Sequence, residues 1–471
     1  MMGIRRIASA VALSAALALG TLTATPAQAQ GPGTGLPFIT GIQVQNLASV
    51  QATASFAFYA EGGTNAVGSI PNVAIPANGQ VTYAQLPSTA VQPGFRGSAV
   101  ISSDQRIAAI VNVVSPDYTF GFGGEAYVGV TGGSTTVSLP LLFKGFFGFN
   151  TFVNVQNVSQ TPANVTINYV GRDANNNPVT ASQTINNVQP NASVRFDQQT
   201  FADLPAGFNG SATITSNTDI AAVATQVGPT TVLIYNGFTE GTPNPIFPLV
   251  NTNNSGFQTG IALQNRGTTA TNVTVSYTAS AAGSDCTETK SIAPGATEYF
   301  AIDSFRITQP GENCANGALF VGSGRVTTNS ASQPLVAIVN QLNNGTNRGG
   351  SYSSLNADNA TATVVYPLIQ DRVGGFFTGV SLINVGDVAT TITCTYRGTA
   401  NNQPVTTTQT SGTLQPGGTY TPVQVNQIAP GFNGSGVCTA SNTSARILGV
   451  ANQLRNTGTT DTFFVYEGTN S

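Results

Sequence analysis

Four cysteines, Cys286, Cys314, Cys394 and Cys438, are the residues whose type and spacing carry the most chemistry in this chain. No two stand in Cys-x-x-Cys spacing, which argues against redox or zinc roles and for two structural disulfides. Cys394 takes the place that Ile167 and Val275 hold in equivalent stretches, and Cys438 the place of Ile214. These are inward positions on two strands, so a Cys394–Cys438 bridge through a core is expected. Cys286 and Cys314 fall in loops and are expected to pair with each other.

The rest of the catalytic repertoire is thin. There is no His, which removes the usual general base, the Ser-His-Asp arrangement and the commonest metal ligand. No Ser stands in Gly-x-Ser-x-Gly with a base to activate it. Carboxylates are sparse and unclustered. Asp173, in the Asn-rich loop Asp173-Ala174-Asn175-Asn176-Asn177, is a lone candidate for calcium, which prefers several carboxylates. Paired carboxylates for sugar hydrolysis would have to come from separate loops. Neither an enzyme nor a cofactor is expected. Aromatic residues on Gly-rich loops are the better binding candidates: Tyr118, Phe120 and Phe122, with Phe143, Phe146 and Phe147 downstream. They suit stacking on a sugar or a partner protein, although packing between neighbouring domains is the plainer use.

The elements that position these residues come from a repeat. The template Phe-x-Thr-x-(Ile/Val)-x-(Val/Leu)-x-Asn occurs as Phe38 to Asn46, Phe149 to Asn157, Phe257 to Asn265 and Phe376 to Asn384. Its period of two places these side chains on one face of a strand, and the Asn amide is suited to closing the strand by bonding nearby backbone. A Tyr follows twelve residues later (Tyr169, Tyr277, Tyr396), or thirteen in the first repeat (Tyr59). A proline turn comes next (Pro76, Pro190, Pro294, Pro416), then Gly-Phe-x-Gly-Ser at Gly94, Gly207 and Gly431. The third repeat keeps Gly322-Ser323-Gly324 after an insertion. An apolar strand follows, and then a last strand ending at Tyr127, Tyr235, Tyr352 or Tyr466. Seven or eight short strands per repeat, with turn signals about every ten residues and no amphipathic helix, predict an all-β chain. The expected form is four tandem immunoglobulin-like (Greek-key) β-sandwich repeats over residues 30–130, 131–240, 241–360 and 361–471.

Residues 1–29 read as a secretory signal peptide. Arg5 and Arg6 precede the apolar run Ile7 to Leu19, and Ala27-Gln28-Ala29 is a small-residue cleavage site. The run is too short for a membrane span. The chain beyond it carries 14 basic against 19 acidic residues, which argues against a nucleic-acid partner. Only 7% of residues are charged, against about 25% in an average protein, so the surface must be made of Thr, Asn, Ser, Gln and Gly. Such composition fits an extracellular location, secreted or at a bacterial cell surface.

The runs Val155-Gln156-Asn157 and Asn265-Arg266-Gly267, with Asn272-Val273-Thr274-Val275-Ser276-Tyr277, resemble bacterial extracellular immunoglobulin-like repeats of the cell-adhesion-related type. The resemblance covers the first half of each repeat, and Asn-x-Gly is kept in two of the four. It implies a sandwich on a surface or secreted protein and assigns no functional residue. The expected role is structural or adhesive, with a carbohydrate-binding array and a secreted hydrolase as alternatives.

One strand is missing from the count. Repeats two, three and four place an apolar run around Pro140, Pro248 and Pro367, each nine residues before the template Phe. Nine before Phe38 is Ala29, and the Gly-rich Gln30 to Pro37 cannot form that strand. A terminal sandwich with an open edge is therefore expected, suited to self-association or a cell-surface partner; polysaccharide is the other partner considered.

Overall fold

A computed structural model describes residues 38–114, 123–305, 312–330, 332–455 and 461–471, and the backbone of 7–13. The described chain is nearly all β, in antiparallel sheets, with one 3-10 turn at Ala357–Asn359. It divides into two compact units, residues 1–239 and 240–471. Each holds two sequence repeats.

The same strand positions recur along the repeats. The Asn strands are Ile39–Asn46, Phe149–Asn157, Gln258–Asn265 and Phe376–Asn384. The Tyr strands are Ala52–Ala60, Ala163–Arg172, Thr271–Ala282 and Ile392–Ala400. Each Tyr strand pairs on one side with an edge strand, Pro178–Val188 in repeat two, and on the other with the strand carrying Gly-Ser, Gly97–Ser103 in repeat one. The Gly-Ser strand pairs in turn with an opening strand: Ser134–Phe146, Pro245–Thr252 or Thr363–Val373. Each Asn strand lies between a short strand and the apolar strand, and the apolar strand pairs with a closing strand. In repeat two the Gly-Ser and apolar strands are one continuous strand, Phe208–Val227.

Asn is the residue that ends its strand because its amide satisfies both sides of the turn. Asn157 Nδ2 donates to the carbonyls of Thr161 (2.7 Å) and Val188 (2.9 Å), while its Oδ1 accepts from Ser159 N (2.9 Å). Asn46 bonds Val50, Ile75 and Ala48 in the same way, Asn265 bonds Thr269, Ile292 and Gly267, and Asn384 bonds Val388, Leu414 and Gly386. All four side chains are fully buried. Without these bonds each would leave several polar groups orphaned in the core.

The Phe-x-Gly marker also has a steric cause. A Cβ at Gly97, Gly210, Gly322 or Gly434 would lie 1.9, 2.4, 2.1 or 2.3 Å from a carbonyl oxygen of the paired Tyr strand. The Phe two residues earlier lays its ring over that Gly and packs edge-on against the Tyr-strand aromatic: Phe208 on Tyr169, Phe320 on Tyr277, Phe95 on Phe58. Phe320 is thus the third-repeat member of the marker, with Leu319 in place of the leading Gly. In repeat one the core residue is Phe58, not Tyr59. Phe58 faces Ala99 as Tyr169 faces Ala212, and the period of two turns Tyr59 to the other face.

Both disulfides form with the expected pairing, Cys286–Cys314 and Cys394–Cys438. Two details differ from expectation. Cys394 and Cys438 are direct partners on neighbouring strands of one sheet, so the bridge staples a sheet and does not cross the core. Cys286 opens an edge strand opposite Tyr277 and is buried, as is Cys314.

Gln30 to Pro37, the stretch expected to lack an opening strand, lies outside the described residues. Residues Ile7–Leu13, from the stretch read as signal peptide, pair antiparallel with Gly97–Ser103.

Candidate functional site

The hairpin joining Ser134–Phe146 to Phe149–Asn157 gathers four aromatic rings. Phe143 and Phe146 stack with centroids 5.7 Å apart and planes 7° apart. Phe147 meets Phe146 edge-on at 4.6 Å, and Phe149 closes on Phe143 at 5.7 Å. Phe147 is 84% exposed, the most exposed of the large apolar residues described. Its φ is 46°, between Gly145 at 68° and Gly148 at 81°. A bulky residue in the left-handed region costs about 1 kcal/mol or more, and such strain clusters at functional sites. Lys144 Nζ is drawn away to the Phe201 carbonyl at 2.6 Å, and Asn150 Oδ1 receives Gly145 N at 2.9 Å, so the tip is braced and uncharged.

The structure therefore separates the aromatic candidates. Phe146 and Phe147 belong to a solvent-facing stack of their own, and Phe147 is not a plug between domains. Tyr118, Phe120 and Phe122 lie outside the described residues. Within the first unit the two repeats meet elsewhere: Val223, Val232 and Ile234 of repeat two enter the core of repeat one. Asn236 Nδ2 bonds the Val128 carbonyl across the two closing strands at 2.9 Å.

In the second unit a cavity of about 330 Å³ opens between the third and fourth repeats. Phe257, Phe377 and Phe463 line it with Asn251, Asn452 and Val423. The rings of Phe257 and Phe463 are 4.9 Å apart. Carbonyl oxygens of the Asn251 and Asn452 side chains have no hydrogen-bond partner. Apolar ring faces and neutral side chains suit an uncharged ligand; the two unpartnered carbonyl oxygens are themselves buried from solvent. Sequence reading missed this cleft, because residues of two repeats build it and no local spacing marks it.

The titratable groups serve the fold. Asp173 accepts from the backbone of Asn175 and Asn177 and from Asn177 Nδ2, all within 3.0 Å, and these bonds from Asn177 hold its carboxyl below the usual range. Its oxygens are engaged in shaping their own turn. Glu288 is buried and accepts from Tyr277 Oη (2.5 Å) and Ala301 N (2.8 Å); burial raises its pKa. Gln198 and Gln424 bond the equivalent Tyr169 and Tyr396 at 2.8 Å, so Glu288 stands in for a neutral amide. No group of three His, Cys, Asp or Glu residues is placed to hold a metal among the described residues. On the outer face, Thr166 and Thr184, Thr274 and Thr289, and Thr393 and Thr410 pair hydroxyls across strands at 2.8, 2.8 and 3.0 Å. No described helix is long and apolar enough to cross a membrane.

No family model and no curated protein matches the chain. Among solved structures, the Thermotoga maritima protein 1070 is 18% identical over 23% of this chain and 96% of its own, with a TM-score of 0.19. A glycoside hydrolase family 32 protein from Bifidobacterium adolescentis is 8% identical over 99% of this chain and 96% of its own, at 0.15. A Streptomyces avermitilis α-L-rhamnosidase complexed with L-rhamnose is 9% identical over 85% of this chain and 54% of its own, at 0.12. At these scores the likenesses carry no argument about fold or function.

Proposed function

We propose that the chain is a secreted, non-enzymatic structural or adhesive protein of a bacterial cell envelope or extracellular matrix, built as four tandem immunoglobulin-like sandwiches behind a cleaved leader. The observation that carries this reading is the braced aromatic stack ending in Phe147, 84% exposed at a hairpin tip. An apolar ring held in water at a conformational cost is suited to burial against a partner. Two disulfides fit an oxidising extracellular setting. The surface of paired Thr hydroxyls fits contacts that depend little on salt.

The test is adhesion of the purified protein to immobilised envelope and matrix fractions, read by quartz-crystal microbalance. Phe147→Asn tolerates the left-handed backbone and removes the ring. It is expected to lower adhesion at least tenfold with the melting temperature unchanged or slightly raised. Undiminished adhesion by this variant would overturn the role given to the hairpin. Substrate turnover abolished by one carboxylate substitution would overturn the non-enzymatic reading.

A second reading, an array of carbohydrate-binding modules, rests on the cleft lined by Phe257, Phe377 and Phe463. Polysaccharide binding on a glycan array that Phe377→Ala removes and Phe147→Asn leaves intact would favour it.

A further inference from the structure

Repeats two, three and four show how the opening position is filled. The strand crosses a bulge at its proline, where the register shifts between Leu139 and Leu142, Phe247 and Val250, and Tyr366 and Ile369. The carbonyl just after the proline accepts the hydroxyl of the closing-strand Tyr: Tyr235 on Leu141 at 2.7 Å, Tyr352 on Leu249 at 2.5 Å, and Tyr466 on Leu368. Three residues past the proline, a backbone N–H donates to the buried Thr of the Asn strand. These bonds are Phe143 N to Thr151 Oγ1 (2.8 Å), Asn251 N to Thr259 Oγ1 (3.0 Å) and Gln370 N to Thr378 Oγ1 (2.8 Å).

The first repeat departs from this pattern at the Thr. Ile7–Leu13 pairs with the Gly-Ser strand from Ser103 to Gly97. The equivalent Thr is Thr40, only 3% exposed, and its Oγ1 has no hydrogen-bond partner. An unpartnered buried hydroxyl at the end of a strand slot marks where an occupant should supply an N–H.

We infer that the opening position of the first repeat is an acceptor site for a strand donated by another extracellular polypeptide, and that Ile7–Leu13 holds it only until the leader is removed. The inference rests on the cleaved-leader reading given above. The donor is an extended segment with apolar residues either side of a proline, as in Val137-Ser138-Leu139-Pro140-Leu141-Leu142-Phe143, running antiparallel to Gly97–Ser103. It is a separate chain and not a second molecule of this one, because each described opening strand that follows is bonded into its own repeat. Main-chain pairing with Gly97–Ser103 would supply affinity, and the alternate apolar side chains specificity.

The probe is a synthetic peptide of residues 136–144, added in trans to the mature secreted protein and to the full uncleaved chain. Hydrogen exchange of the Gly97–Ser103 amides and fluorescence anisotropy are read together. The expected result is saturable one-to-one binding to the mature protein, with at least tenfold slower exchange of those amides, and little binding to the uncleaved chain. N-methylation of the peptide at Phe143, or Thr40→Val in the protein, should each weaken binding about tenfold, and the two together no further. No binding to a mature protein that starts near Gln30 would overturn the inference and leave the leader reading intact. Slow exchange without peptide, in a mature protein that runs as a dimer, would overturn it in favour of a second molecule of this chain. Retention of the leader in the secreted protein, seen by N-terminal sequencing, would instead sink the reading on which the inference rests.

Discussion

Cys394 and Cys438 face each other directly across neighbouring strands, at the register position that Ile167 and Ile214 hold in the second repeat. The disulfide replaces an apolar cross-strand contact with a covalent one inside a site both residues bury completely. It closes a loop with a sequence separation of 44, for which chain entropy predicts about 4 kcal/mol. Cys394→Ala with Cys438→Ala is therefore expected to destabilise the second unit by about 3–4 kcal/mol in urea unfolding. The Cys394→Val, Cys438→Val pair should recover part of the loss by restoring the aliphatic contact. Equal loss in both double variants would show that the covalent link alone matters.

Asn157 should be far more sensitive than an ordinary surface amide. Replacement by Ala removes donors to Thr161 and Val188 and the acceptor for Ser159 N. Orphaning buried carbonyls costs about 1–3 kcal/mol each. We expect Asn157→Ala to cost at least about 2 kcal/mol in unfolding free energy, and the same change at Asn265 to do likewise. A loss below about 0.5 kcal/mol at both would mean that the turns hold without the amide.

The second unit should lose stability as pH rises through the weakly acidic range. Burial lifts the Glu288 carboxyl above its unfolded value of about 4.3. The native state therefore holds that proton more tightly than the unfolded state between the two values. Stability is highest below the unfolded value and falls as pH climbs through the folded one. Glu467 is raised by burial in the same direction. Glu288→Gln, which copies the amide of Gln198 and Gln424, should flatten the slope and raise stability at pH 7. A pH profile of urea midpoints that is identical in wild type and Glu288→Gln would refute this.

Much of this architecture was legible because the repeat fixes period and chemistry together. The template residues from Phe149 to Asn157 recur at a period of two, and an Asn at the end of such a run has few uses besides bonding the turn. The inward positions of Cys394 and Cys438 followed from substituting them for Ile167 and Ile214. What could not be read depended on partners distant in sequence. Tyr59 sat one residue off the spacing, and only pairing with Ala99 identifies Phe58 as the core residue. Phe320 was passed over because Leu319 replaces the Gly that precedes it in the other repeats. Phe147 was a binding candidate by its Gly-rich setting, but its exposure depends on the left-handed turn. The cleft beside Phe257 and Phe463 needs two repeats to exist.

The apolar and closing strands of repeats two and four are largely buried on both faces, and one face belongs to a neighbour. Val223, Val232 and Ile234 complete the core of the first repeat, as Val450, Phe463 and Val465 complete that of the third. A single repeat cut from either pair would present an apolar wall to water and would clump. Within each unit, then, one repeat serves as a wall of the other, and deleting it would leave its neighbour's core open on that side.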